Sequence, residues 1–385
     1  MSRKMRFIGL MFSISVFAFA CGDQTGETLS DGSVPNIDGS SPPQPDGTVG
    51  TATPLYVTIY SHNEDSWGPI VGDLARYSDY RADLKARLDI VASFGAKLNW
   101  QTDLPVLQAM QKHETDTGLL AKTGGITIIE YMEKLGFGVD PHLHRNSYAD
   151  LAHIIELLGG SKAEVIGGVR FRECGQTETF SLMDWHKEIG MVNGEIKGKL
   201  YPDVVWKPTI LSVPGFGGHW FDELSSGVWR PGARDDFFQD QGDGNIIYIG
   251  QGYPHDQANL GASHSSGNTP VHAKDGAYIK ELLGKISSGE LPAGRMYTAS
   301  IHVRDQVSLK QKTGGPDVIV NDGLTQILKE LEPYQKSGKI VYVTYQEAAQ
   351  IWKTTYGSQV NQVSIEDFSM YSDILASAEG YCATN

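Results

Sequence analysis

Cysteine is scarce: Cys21, Cys174 and Cys382 are the only three in 385 residues. That excludes a scaffold built on a disulfide framework. The apolar run Phe7–Phe17 is too short for an ordinary membrane-spanning helix. Basic charge is also short, with 32 Lys and Arg against 46 Asp and Glu and a formal net charge of −14. This balance argues against nucleic acid or anionic lipid as a partner. No repeat with a period of roughly 20–50 residues is visible, which argues against solenoids and propellers.

What is present begins at the N-terminus. Arg3, Lys4 and Arg6 precede the apolar run, and Ala18-Phe19-Ala20 leads into Cys21. The pattern predicts a secretory signal over residues 1–20. A cysteine directly after the cleavage point resembles the bacterial lipobox. It implies lipidation of Cys21 and a membrane-anchored lipoprotein, periplasmic or on the cell surface, since diacylation supplies enough buried chain for stable anchoring. Residues 21–52 hold the lipidated cysteine and a stretch rich in Gly, Ser, Thr, Pro and Asp, which is expected to be a flexible linker. Loss of Arg3, Lys4 and Arg6 with the signal takes the formal charge from −14 to −17, because no acid lies in the first twenty residues. The folded part is expected over 53–385. Cys174 and Cys382 admit two readings, a disulfide tying the C-terminal tail to the body or two buried thiols.

Along 53–385 strand-like and helix-like runs alternate. Leu55–Tyr60 reads as a strand, Arg81–Phe94 as a helix ended by Gly95, and Phe137–His144 as a strand followed by a helix to Leu158. Val165–Phe171, Val204–Leu211, Ile246–Ile249, Met296–Val303 and Ile340–Tyr345 read as further strands. Repeated strand–helix units predict an α/β fold with a parallel sheet and helices outside it, and seven or eight such strands allow a closed barrel. The stretch at about 173–272, rich in Gly, Trp, Phe, Asp and His, is expected to be a long loop insertion over the face that carries the chemistry.

Four segments hold residues able to do chemistry. Ser61-His62-Asn63-Glu64-Asp65-Ser66-Trp67 follows the first strand and offers two adjacent carboxylates, one for a metal and one for a proton; a solvated turn is the plainer reading. His142-Leu143-His144 ends another strand, where residues i and i+2 face the same side and can share a metal. His302 ends a late apolar strand, as a general acid or base or as a hydrogen-bonded core residue. Arg170, in Gly167-Gly168-Val169-Arg170, can orient a carboxylate or bind substrate oxygens, or form a surface ion pair.

In this order the segments resemble the polysaccharide deacetylase superfamily, and the chain is identified as a divergent member of it over most of Leu55–Trp352. The resemblance implies a distorted (β/α)7-type barrel and a carbohydrate esterase activity, removal of acetyl groups from a cell-surface or extracellular polysaccharide. It implies that Asp65, His142 and His144 hold a divalent metal, zinc first, with Glu64 as general base and His302 as general acid. Arg170 matches the family's arginine. His62 and Trp67 are expected to contact substrate, and His62 is alternatively a further ligand. Trp220 and Trp229 are sugar-stacking candidates, with core packing the commoner fate. Asp235 and Asp236 are candidates for a remaining aspartate motif. His219, His255, His264 and His272 are candidates to line the cleft or form a second metal site, with bystander positions the commoner fate. Two other classes stay open: a glycosidic-bond hydrolase, which needs a carboxylate such as Asp235 or Asp256 facing Glu64, and a non-catalytic glycan-binding lipoprotein.

Overall fold

The computed structural model describes residues 53–63, 68–143, 147–174, 180–212, 215–216, 225–251, 273–303 and 318–364. The chain divides into two units, Met1–Thr51, which lies outside the described residues, and Ala52–Asn385. The expectations for Cys21 and the linker therefore lie outside them, as do those for Glu64, Asp65, Trp67, His144, Trp220, Asp256, Cys382 and the histidines 219, 255, 264 and 272.

Ten strands position the site: β1 (Leu55–Asn63), β2 (Leu98–Thr102), β3 (Gly138–Pro141), β4 (Val165–Gly167), β5 (Ile210–Ser212), β6 (Ser225–Trp229), β7 (Ile247–Ile249), β8 (Tyr297–His302), β9 (Ile340–Tyr342) and β10 (Asn361–Ser364). β1 is a run of mostly β-branched and aromatic residues, all nine of them buried, as suits a central parallel strand covered on both faces. It pairs in parallel with β8 along one side. On the other side its first residues pair with β9 and its last with β2, and β3 continues the sheet beyond β2. A second sheet runs in the order β10, β6, β7, β5, β4. There β4, β5 and β7 are parallel, while β6 runs antiparallel to both β7 and β10.

The two sheets meet at two seams. A single parallel bridge joins His142, just past β3, to Gly167 at the end of β4. At the other seam Gly227 N donates to Thr298 Oγ1 and Thr298 N donates to Ser226 Oγ, both at 2.8 Å. Gly227 is required there: its φ is +115° and an added Cβ would stand 2.1 Å from the Asn361 carbonyl oxygen. Among the described residues the fold is thus mixed α/β, a parallel sheet in contact with a mixed one, joined by one backbone bridge and by side-chain bonds rather than by a continuous closed ladder.

The helices flank this frame. Leu74–Ser93 starts seven residues earlier than its apolar spacing predicts. The Asp73 carboxylate caps it, accepting from Ala75 N and Arg76 N, and Tyr77 and Tyr80 carry its buried face back to that cap. Capping boxes start Ile128–Lys134 at Thr127 and Tyr345–Thr354 at Thr344. One apolar core lies between the first sheet and its helices, including Leu84, Trp100, Ile155, Leu282 and Leu331. A second gathers Trp185, Trp206, Trp229 and Tyr248.

Residues 173–272 supply β5, β6 and β7 to the second sheet, so this stretch is part of the frame as well as a source of loops. The expected strand Val204–Leu211 is two short ones, Val205–Trp206 and Ile210–Ser212. Pro208 stands in the gap, and proline has no N–H to give a ladder. The Asp150 carboxylate pins this excursion by accepting from the N–H groups of Lys199, Leu200 and Tyr201 at 2.8–3.1 Å.

Candidate active site

Because β1, β2, β3 and β8 are parallel, their carboxyl ends lie on one edge. The register sets His302 beside Tyr60, His62 beside Gln101, and Gln101 beside Asp140. The bridge sets His142 beside Gly167. Alternation along a strand then sends Tyr60 and His62 to one face, with Asn99 and Gln101 answering from β2. In open and closed α/β sheets alike, this edge is where ligands are bound.

Three imidazoles meet there. The His62 ring stacks on His142, centroids 4.0 Å apart and planes 21° from parallel. His302 lies 5.7 Å from His62 and stacks on Tyr60 at 5.0 Å. All three histidines are buried, none more than 4% exposed. Two charged rings 4 Å apart would repel by roughly 4 kcal/mol at an effective dielectric of about 20, so the stack suits at most one charge.

The polar frame around them is specific. His62 Nε2 is 2.9 Å from Gln101 Oε1, and Gln101 Nε2 donates to Ser212 Oγ at 2.7 Å. Tyr60 OH donates to Gln251 Oε1 at 3.3 Å, and Ser300 Oγ donates to the Gln251 carbonyl at 2.9 Å. Asn63, the last residue of β1, donates to Ser61 Oγ and the Gln101 carbonyl and accepts from Tyr80 OH. That fixes the exit of β1, immediately before Glu64 and Asp65 in the chain.

One layer further in stands Asp140, fully buried. Val165 N and Gln346 Nε2 donate to its Oδ1 at 3.4 and 3.1 Å. Burial pushes its carboxyl up to about 8, so it holds its proton at neutral pH. Gly138 has Asn99 Oδ1, Asp140 Oδ2 and Gln346 Oε1 all within 3.4 Å of where its Cβ would stand. The interior of the first sheet is thus polar for two layers below the histidines.

The structure brings His62, His142 and His302 together. Arg170 begins the strand Arg170–Cys174, three residues past β4. Asp235 and Asp236 lie exposed in a short 3-10 turn, apart from the buried cluster. Trp229 is fully buried, with its Nε1 donating to the Phe237 carbonyl at 2.8 Å, so it is a core residue and not a sugar platform. Gln101, Ser212, Tyr60, Gln251 and Asp140 were not singled out from the sequence. The signal for Tyr60 is its two-residue spacing from His62; Gln101, in Leu98–Thr102 with Asn99 and Thr102, carries no signal of its own. Among the described residues no group of three or more His, Cys, Asp and Glu side chains is arranged to hold a metal ion. His142 is the one described member of the expected set.

No family model matches the sequence, and no curated protein matches it. Solved structures of related shape include a Pseudomonas aeruginosa PAO1 protein described as a polysaccharide deacetylase (TM-score 0.45, 11% identity, covering 78% of this chain and 92% of that one). A Mycobacterium smegmatis protein with the same description follows (TM-score 0.43, 10% identity, 83% and 96%). The 4-alpha-glucanotransferase of Thermococcus litoralis is a third (TM-score 0.41, 10% identity), of which this chain spans only 43% while 82% of this chain is covered.

Proposed function

We infer that the protein is a metal-dependent hydrolase that removes acetyl groups from a polysaccharide, with its active site at the carboxyl edge of β1, β3 and β8. The observation that carries this reading is the convergence of His142 and His302 on either side of His62. In this reading β3 leads to the metal ligands and β8 carries the acid, and Glu64 and Asp65 follow β1 in the chain. The two sheets, joined at their seams, are read as an opened form of the (β/α)7-type barrel.

In this reading Asp65, His142 and His144 hold a divalent ion, zinc first, which supplies an activated water and a Lewis acid for the acyl oxygen. Glu64 takes the proton of the attacking water. His302, held flat against Tyr60, gives a proton to the departing sugar amine or hydroxyl. His62 hydrogen-bonds substrate, and Arg170 and Trp67 add contacts to the glycan. Cys21 carries the lipid that keeps the enzyme at a membrane, periplasmic or on the cell surface, beside its polymer. Among the described residues no helix is long and apolar enough to cross a membrane.

The test is hydrolysis of acetylated oligosaccharides by the purified protein, scored for free acetate and for new reducing ends. Acetate without new reducing ends is the expected result. New reducing ends without acetate would replace this reading with glycosidic-bond cleavage, and neither product across acetylated glycans would leave a glycan-binding lipoprotein.

A further inference from the structure

Four rings run across the carboxyl edge in one series: His302, Tyr60, His62 and His142, with successive centroids 5.0, 4.8 and 4.0 Å apart. Tyr60 is the member that is not an imidazole, and it touches both His302 and His62. Its ring plane is 24° from that of His302 and 45° from that of His62, so it stacks on the first and leans against the second. Register produces the series. Tyr60 on β1 is paired with His302 on β8, and His62 lies two residues further along β1 on the same face.

Tyr60 is itself fixed at both ends. Its carbonyl accepts from Val303 N at 2.7 Å, and its hydroxyl donates to Gln251 Oε1 at 3.3 Å. The Gln251 carbonyl accepts from Ser300 Oγ at 2.9 Å, and Ser300 shares a face of β8 with His302. The tie closes on itself: Tyr60 to Gln251, to Ser300, along β8 to His302, and by ring stacking back to Tyr60. Tyr60 and Gln251 are 1% exposed, Ser300 0% and His302 4%, so the loop lies where close packing leaves a ring little freedom to turn.

A proton donor must be well placed, since a misplacement of about 1 Å can cost about 10²-fold in rate. The outer torsion of a histidine is broad and does not by itself fix the ring plane. With a phenol flat against one side of His302, turning that ring drives its edge into the phenol. We propose that Tyr60 is a positioning residue which sets the plane of the His302 ring and holds it apart from the His62–His142 pair. This rests on the deacetylase reading for its purpose, since that reading makes His302 the proton donor. The stack itself is independent of it.

Two measurements on the full-length protein test the proposal. In steady-state acetate release, Tyr60→Leu removes the ring and is expected to lower kcat by about 10–100-fold with KM little changed. Tyr60→Phe keeps the stacked ring, loses the hydroxyl tie, and is expected to recover most of that loss. In NMR of histidine-labelled protein, the His302 signals are identified by their loss in His302→Gln. The ring-carbon protons of His302 are expected to be displaced by the neighbouring aromatic ring in the wild type and in Tyr60→Phe, and to lose that displacement in Tyr60→Leu. Should Tyr60→Leu fail to fold, Gln251→Leu removes the acceptor for the Tyr60 hydroxyl and is expected to move the same signals and lower kcat in the same direction. A folded Tyr60→Leu with wild-type kcat, a loss carried by KM alone, or His302 signals that the substitutions leave in place would overturn it. A wild type that releases no acetate sinks the hydrolase reading, and the NMR comparison still decides whether Tyr60 sets the His302 ring.

Discussion

Two buried polar clusters in the same sheet-and-helix frame are built on opposite plans. Beneath the helices, Arg81 and Glu114 form an ion pair with side chains 2% and 3% exposed. Arg81 donates to both Glu114 oxygens at 2.7 and 3.1 Å and to Thr123 Oγ1 at 2.9 Å. Glu114 also accepts from Ile128 N and Tyr77 OH. Burial, and after it the Glu114 charge, pushes the Tyr77 hydroxyl well above the usual phenol range. Every charge there has a partner on another segment, so the cluster ties three helices together. The histidine cluster instead gathers imidazoles at strand ends, with ring stacking and the Gln101 amide among its contacts. A saturated ionic network holds a fold in place; an array of imidazoles at a parallel-strand edge can move protons.

Single substitutions separate the two plans. The largest effect is expected from His302→Ala: acetate release falls by about 10²–10⁴-fold, the usual worth of a general acid, while the melting temperature changes little. Unfolding by His302→Ala with no specific loss of rate would reduce His302 to a packing residue. Arg81→Met is expected to behave the other way. It leaves the Glu114 carboxylate buried without its counter-charge and costs about 3–5 kcal/mol in denaturant melts. A loss below about 1 kcal/mol would show that the network is not what joins the helices.

Asp140 lies between the two plans, a buried acid two residues from His142. Its folded pKa of about 8 stands above the ordinary carboxylate value. The folded chain therefore keeps a proton that the unfolded chain loses between roughly pH 4 and 8. The stability this proton contributes is full below about pH 4, declines as pH rises, and is gone above about pH 8. Asp140→Asn keeps the acceptor for Val165 N and Gln346 Nε2, and its own N–H₂ can serve Gln346 Oε1. It is expected to flatten the pH dependence and to melt higher than the wild type at pH 8. Identical pH–stability curves for the two proteins would contradict the burial of a neutral acid. Smallest is Thr344→Ala, which removes the cap of Tyr345–Thr354, where Thr344 Oγ1 accepts from Glu347 N. A loss of about 1 kcal/mol is expected in the same melts.

The sequence carried the parallel frame and the strand-end histidines, because β1 and β8 are long apolar runs ending in polar residues. It carried three strands of the second sheet, near β4, β5 and β7, but neither β6 and β10 nor the separation into two sheets. Ser225–Trp229 begins Ser-Ser-Gly and Asn361–Ser364 is mostly polar, so neither shows an apolar alternation. Nor did it reveal the centre of the site. His62 was read as an auxiliary contact beside the acids, whereas register places it between His142 and His302. Gln101 acquires meaning only when β1, β2 and β5 are side by side, since a glutamine at a strand end has no signature of its own. Gly167 lies inside the expected strand Val165–Phe171, and its close approach to the Gln101 amide is visible only across a seam.

The most direct test of the central claim is the divalent metal content of the purified full-length protein beside His142→Ala. The account predicts about one zinc-like ion per chain in the wild type, lost from the folded variant. A folded wild type that takes up no ion when divalent metals are supplied, or a His142→Ala variant that keeps it, would contradict a metal-dependent site at this edge.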